Sequence, residues 1–122
     1  MKNTLYTYRL VSIDRVVDGD TIDAVVDLGF DVMKKVRIRL LGVDTPEVRT
    51  RNINEKIHGK AASKYVEDWV TNHSSGVFYL KSESYKGKYG RVLGRVISVD
   101  NDSTHDLVEE LLSNDFQKRD DY

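Results

Sequence analysis

Val36–Glu47 reads VRIRLLGVDTPE, and the fold follows from how this stretch changes character half-way along. Val36, Ile38 and Leu40 alternate with Arg37 and Arg39, with Lys35 just ahead. A period of two predicts a strand with one buried face and one open face, the open one carrying cations. Gly42-Val43 then leads into Asp44-Thr45-Pro46-Glu47. Pro46 has no N–H for a ladder, and Asp-Thr before proline is turn chemistry, so the strand stops there. Two carboxylates therefore stand at a strand end beside an arginine-bearing face. Oxygen ligands for a hard cation next to guanidiniums for a phosphate make a combination suited to phosphodiester chemistry.

On the N-terminal side, Tyr6–Val17 is rich in aromatic and β-branched residues and predicts a strand. Asp18-Gly19-Asp20 is a hairpin signal. Thr21–Leu28 is a second strand with Asp23 and Asp27 facing outward, and Gly29 turns the chain into a third over Val32–Val43. On the C-terminal side a polar, basic loop reaches Asn54, the expected cap of a helix over Glu55–Val70. Ile57, Ala61, Tyr65 and Trp69 recur at i+4 and form its predicted core stripe. Val77–Lys81 and Arg91–Val99 are two further strands. Ser103 with Asp106 reads as a capping box before Leu107, Val108, Leu111 and Leu112, a short second helix. The last six residues, QKRDDY, are polar and predicted to fray. Three strands, a helix, two strands and a C-terminal helix give the element order of a mainly β, five-stranded OB barrel with a helix between strands 3 and 4. The length fits one domain over residues 1–122, with its core at about 5–116 and a polar tail at 117–122.

Composition narrows the chemistry. With no cysteine there is neither a disulfide framework nor a thiolate metal site. His58, His73 and His105 show no H-x-x-x-H or triad-like spacing. The first ten residues contain no long apolar run, so the expectation is a protein without a secretory leader or membrane contact, in the cytoplasm. A formal net charge of −1 argues against clamping nucleic acid by bulk charge. The distribution is uneven, however. Between Met33 and Lys60 eight basic side chains face three acidic ones, whereas from Asp100 onward eight acids face two bases. A local anion site on a nearly neutral protein implies modest, salt-sensitive affinity for a polyanion.

Three segments stand in order along the chain: Asp18-Gly19-Asp20-Thr21, Arg39-Leu40-Leu41-Gly42-Val43-Asp44-Thr45-Pro46-Glu47, and Lys88-Tyr89-Gly90-Arg91. Together they resemble the staphylococcal nuclease (thermonuclease-like) family, whose signature runs D-G-D-T, R-L-x-x-V-D-T-P-E and K-Y-G-R. The resemblance extends from about Val16 to Phe116. It implies an OB barrel and a Ca²⁺-dependent phosphodiesterase that cuts DNA and RNA and leaves 3′-phosphate ends. Carried over by position, it implies Asp20, Asp44 and the backbone carbonyl of Thr45 as metal ligands. Glu47 is implied as the group that orients or deprotonates the attacking water, and Arg39 and Arg91 as phosphate clamps. Lys88 and Tyr89 match positions that touch the nucleotide. The expected substrate is nucleic acid with single strands preferred, and the expected state is a monomer.

Each segment also has a plain structural reading. Asp-Gly is a hairpin turn in most proteins, and Thr-Pro-Glu can simply open a short helix. Arg39 alone would be a solvated strand residue, and the Ile57–Trp69 stripe is packing. The functional reading rests on all three segments occurring together. Asp100-Asn101-Asp102 is not an EF-hand, because His105 and Leu111 stand where that loop needs Gly and Glu. Glu47-Val48-Arg49 breaks the Glu-x-Lys of another metal-nuclease class. The main rival is a non-catalytic nucleic-acid-binding OB module, followed by a protein-interaction domain that no longer uses the site.

Overall fold

The computed structural model describes residues 6–86 and 90–122, the side chains at 84–86 excepted. Lys88 and Tyr89 therefore lie outside the described residues. The strands are β1 (Thr7–Asp18), β2 (Thr21–Asp27), β3 (Met33–Leu40), β4 (Val77–Lys86), β5 (Val92–Asp100) and β6 (Ser103–Asp106). The helices are α1 (Ile53–Asn72), between β3 and β4, and α2 (Leu107–Ser113) after β6.

The sheet runs β3-β2-β1-β4-β5-β6, and a parallel pairing of β3 with β5 closes the first five strands into a barrel. This is the expected OB arrangement. Closure needs strongly bent strands, and β1 supplies the bending with three register irregularities against β2 between Leu10 and Asp18. Where β5 serves both β4 and β3, Gly94 sits so close to the Lys81 carbonyl that a Cβ there would overlap it. Ile22, Ala24 and Val26 of β2 point inward with Ile38 and Leu40 of β3, as the period of two requires.

Three expectations are corrected. First, β6 is an additional four-residue strand beside β5, outside the five-stranded ring. Ser103 lies within it, so the predicted capping box does not form. Asp106 is itself the N-cap of α2, accepting from the Val108 N–H, and its second oxygen pairs with Arg95 at 2.9 Å. Second, α1 begins two residues early. Asn52, not Asn54, is its cap, with Oδ1 accepting from the Glu55 N–H. Third, the buried face of α1 is Glu55, Gly59, Ala62, Val66 and Trp69. Ile57 is 60% exposed and Ala61 is exposed too. A step of four residues advances about 40° around a helix, so an unbroken i+4 series winds off the face, whereas mixed steps of three and four stay on it.

Among the described residues, no helix is long and apolar enough to cross a membrane.

Candidate active site

The β1–β2 hairpin pairs Asp18 with Thr21, leaving Gly19 and Asp20 as its two-residue loop. Register then does the positioning: Thr21 pairs with Arg39 across β2 and β3, and the Leu40 N–H donates to the Asp20 carbonyl at 2.8 Å. Asp20 is thereby fixed beside the end of β3. Its carboxylate is buried, 6% exposed for the residue, and accepts from the Thr21 hydroxyl at 2.9 Å and the Thr45 N–H at 3.0 Å.

At Gly42, with φ of 95°, the chain leaves β3 through a left-handed conformation that glycine adopts without strain. The segment that follows has no regular secondary structure, yet from Asp44 to Val48 each backbone donor has a partner. The Asp44 N–H goes to Gln117 Oε1 at 3.0 Å, and the Thr45 N–H to Asp20 Oδ2. Pro46 has none. The Glu47 N–H goes to Glu55 Oε2 at 3.1 Å, and the Val48 N–H to Asp18 Oδ1 at 3.1 Å. Acceptors from the tail, the hairpin and α1 thus pin one short loop. On its far side, the Glu47 carbonyl lies so close to Gly59 of α1 that a Cβ would overlap it.

Arg39 is part-buried at the centre. Nη1 donates to the carbonyls of Leu40 at 2.5 Å and Val43 at 2.8 Å, and so stitches the strand end to the loop. Nη2 stands 3.4 Å from Asp20 Oδ2 and 3.2 Å from Asp44 Oδ1. Those two carboxylate oxygens are therefore at most about 6.6 Å apart, the two distances laid end to end, against no more than roughly 5 Å between two oxygens on one Ca²⁺. Asp44 is 61% exposed at its side chain and has room to close the difference. The Thr45 side chain is packed inward beside Gly19 and Ala62, its hydroxyl without a partner among the described residues.

The structure brings Asp20, Asp44, Thr45 and Arg39 into direct contact. Glu47 is adjacent on the same loop with its side chain exposed. Arg91 precedes β5 and lines a cleft with Val17, Asp18, Thr21 and Arg37. That cleft lies on the hairpin side of the site. Arg37, the other guanidinium of β3, is committed to Asp23 across the ladder, with bonds of 2.7 and 3.0 Å. That hydrogen bond holds the Asp23 carboxyl below its ordinary range and raises Arg37.

Two residues of the site escaped sequence reasoning. Glu55 is nearly buried in the first turn of α1. Its carboxyl is held low, first by the Glu47 N–H and then by Lys118, whose Nζ lies 3.1 Å away. Lys118 is raised in turn, first by its bond to Glu55 and also by the charges of Glu47 and Asp44. A single ammonium therefore sits in the field of three carboxylates that span the loop and the helix. The expected fraying of the tail is also corrected. Gln117 accepts from Asp44, the Lys118 N–H donates to the Asp44 carbonyl at 2.6 Å, and Tyr122 stacks on His58 with centroids 5.0 Å apart.

Residues 37–119 match the family model described as Staphylococcal nuclease homologue. A thermonuclease of Staphylococcus hyicus is 39% identical over 90 residues, covering 74% of this chain and 47% of its own length. A thermonuclease of Staphylococcus intermedius is 42% identical over 84 residues, 69% of this chain and 46% of its own length. The endonuclease YncB of Bacillus subtilis is 35% identical over 86 residues, 70% of this chain and 38% of its own length. The chain spans about half or less of the length of these curated relatives.

Proposed function

The chain belongs to the staphylococcal nuclease homologue family, and from that premise we propose that it is a Ca²⁺-dependent nuclease. It hydrolyses phosphodiester bonds of DNA and RNA with little sequence specificity and leaves 3′-phosphate ends. The observation that carries this reading is the Arg39 nitrogen held between the Asp20 and Asp44 carboxylates. Two acids that already share one cationic group at a rigid strand end support a cation site there, and an all-oxygen donor set suits a hard ion.

Asp20, Asp44 and the Thr45 backbone carbonyl would hold the ion. The inward packing of the Thr45 side chain fits a residue that serves through its backbone. When bound, Ca²⁺ supplies positive charge that neutralises the phosphate oxygens. Arg39 approaches from β3 and Arg91 from the segment just before β5, so their planar guanidiniums clamp the equatorial oxygens from two directions as charge develops there. Glu47 orients a water for attack on phosphorus and takes its proton, with the 5′ oxygen leaving. Its exposed carboxylate and bonded backbone suit that task, because the loop stays still while the side chain faces solvent. Lys88 and Tyr89 would touch the nucleotide. An open, shallow surface with both faces of the phosphate in reach favours single strands.

The test is cleavage of single-stranded DNA and of RNA with Ca²⁺, Mg²⁺ or chelator, with end-group analysis of the products. The expected result is cutting with Ca²⁺, none with chelator, and 3′-phosphate termini. Cutting that persists in chelator would remove the metal from the account. Binding without cutting in every condition would leave the non-catalytic OB module as the better description.

A further inference from the structure

The three histidines look unrelated in the sequence, yet two of them meet in the fold. His73 caps the C-terminal end of α1, His105 lies on β6, and Glu110 is on α2. The His73 and His105 rings are 4.6 Å apart between centroids. One ligand atom from each of the three residues lies within 4.8 Å of the others, and all three residues are half-buried. Gly19 and Thr45 of the Asp20–Asp44 site pack beside Ala62 in the N-terminal half of α1, eleven residues or about 16 Å along the helix from His73, so this cluster stands clear of that site.

We propose that His73, His105 and Glu110 form a second metal site, selective for a Zn²⁺-class ion. Two imidazoles and a carboxylate are the donor set of three-ligand zinc sites and suit Zn²⁺, Co²⁺, Ni²⁺ or Cu²⁺. Ca²⁺ and Mg²⁺ prefer all-oxygen sets, so the two ends of α1 select different ions. Ligands at the zinc distance and a tetrahedral angle stand roughly 3.4 Å apart, so the cluster closes by side-chain rotation of about an ångström. The Glu110 carboxylate is already oriented by a fixed donor, the Trp69 Nε1–H, which bonds Oε2 at 2.8 Å. The ligands come from α1, β6 and α2. Binding therefore ties the distal end of the helix to the last strand and the last helix, and stabilises the folded state by linkage.

Trp69 is the single tryptophan of the chain, and its ring lies 4.8 Å from His73, so its fluorescence reports occupancy. The whole 122-residue chain, stripped of metal, is titrated with Zn²⁺ by calorimetry, with Co²⁺ and Ni²⁺ by Trp69 quenching, and with Ca²⁺ as the contrasting ion. His105→Gln and Glu110→Gln are run in parallel; the second keeps an acceptor for the Trp69 N–H. The expected result is one saturable Zn²⁺ equivalent, a higher melting temperature with Zn²⁺, and saturable quenching by Co²⁺ and Ni²⁺ that millimolar Ca²⁺ leaves in place. Each variant should lose at least about tenfold in Zn²⁺ affinity while melting cooperatively without metal. Absence of saturable Zn²⁺ binding, or binding of equal strength in both variants, would overturn the proposal and leave the cluster as aromatic packing. If one variant fails to fold, the other decides on the same criterion.

Discussion

The Glu55 carboxylate gathers the Glu47 N–H, the Thr50 hydroxyl at 3.3 Å and the Lys118 ammonium. It thus fixes the backbone of one acid while its own charge is neutralised by a base from the tail. Its pKa is depressed in the fold. The resulting stability is present above the unfolded value of about 4.3 and is lost as pH falls through the lower folded value. Glu55→Gln should therefore lower the melting temperature at pH 7 and flatten its decline between about pH 4.5 and 3, as thermal melts across that range will read. It should also reduce turnover more than substrate affinity, because it displaces Glu47 and not a phosphate contact. A variant with an unchanged acid limb would show that Glu55 is incidental. Asp44 and Glu47 stood out in the sequence because they lie three residues apart at a strand end, and Asp20 because its segment joins the other two in resembling the family. Glu55 did not. An acid in a first helical turn reads as a partner for the helix dipole, and nothing local tells which loop N–H it reaches.

At the scale of elements, the loop from Asp44 to Val48 is irregular but held, and α1 does much of the holding. The N-terminal half of its buried face carries Glu55 and Gly59, facing the loop, and the C-terminal half carries Val66 and Trp69, facing the core. That division explains why the apolar periodicity located the helix but misjudged its face. Two of the buried positions are not apolar, so the pattern drifted to Ile57 and Ala61. Gly59 is the sharpest case. Adding a methyl group there drives a Cβ into the Glu47 carbonyl, so Gly59→Ala should cost about 1–3 kcal/mol and reduce cleavage along with stability. Gly29→Ala makes a contrast for the melts: no atom lies within 4 Å of its Cβ position, and its penalty is backbone strain at φ of 84° without damage to the site. Full activity in a folded Gly59→Ala protein would mean that the loop position tolerates displacement.

At the scale of the whole molecule, five strands and two helices with local patterns of their own, together with the family resemblance, gave the OB architecture, while the four-residue β6 carried no such pattern. Closure through the β3–β5 pairing and the docking of the tail did not show in the sequence. Both depend on contacts between residues far apart, and a polar hexapeptide carries no local sign that its partners exist. Charge distribution was legible and bears on binding. The proposed function gives the phosphate only Arg39, Arg91 and Lys88 on a chain of net charge −1, so affinity for single-stranded DNA should fall with salt at a shallow log–log slope, about −2 to −3. Fluorescence anisotropy with chelator present measures it. A slope several units steeper would mean a far broader basic surface than Arg39, Arg91 and Lys88 supply.

The most direct test of the central claim is single-turnover cleavage of single-stranded DNA in saturating Ca²⁺ by the wild-type chain and by Glu47→Gln. The substitution keeps the backbone bond to Glu55 and removes only the charge that faces the water. The account predicts a loss of at least about a hundredfold in rate, with DNA affinity and melting temperature nearly unchanged. Equal rates in the two proteins would contradict it.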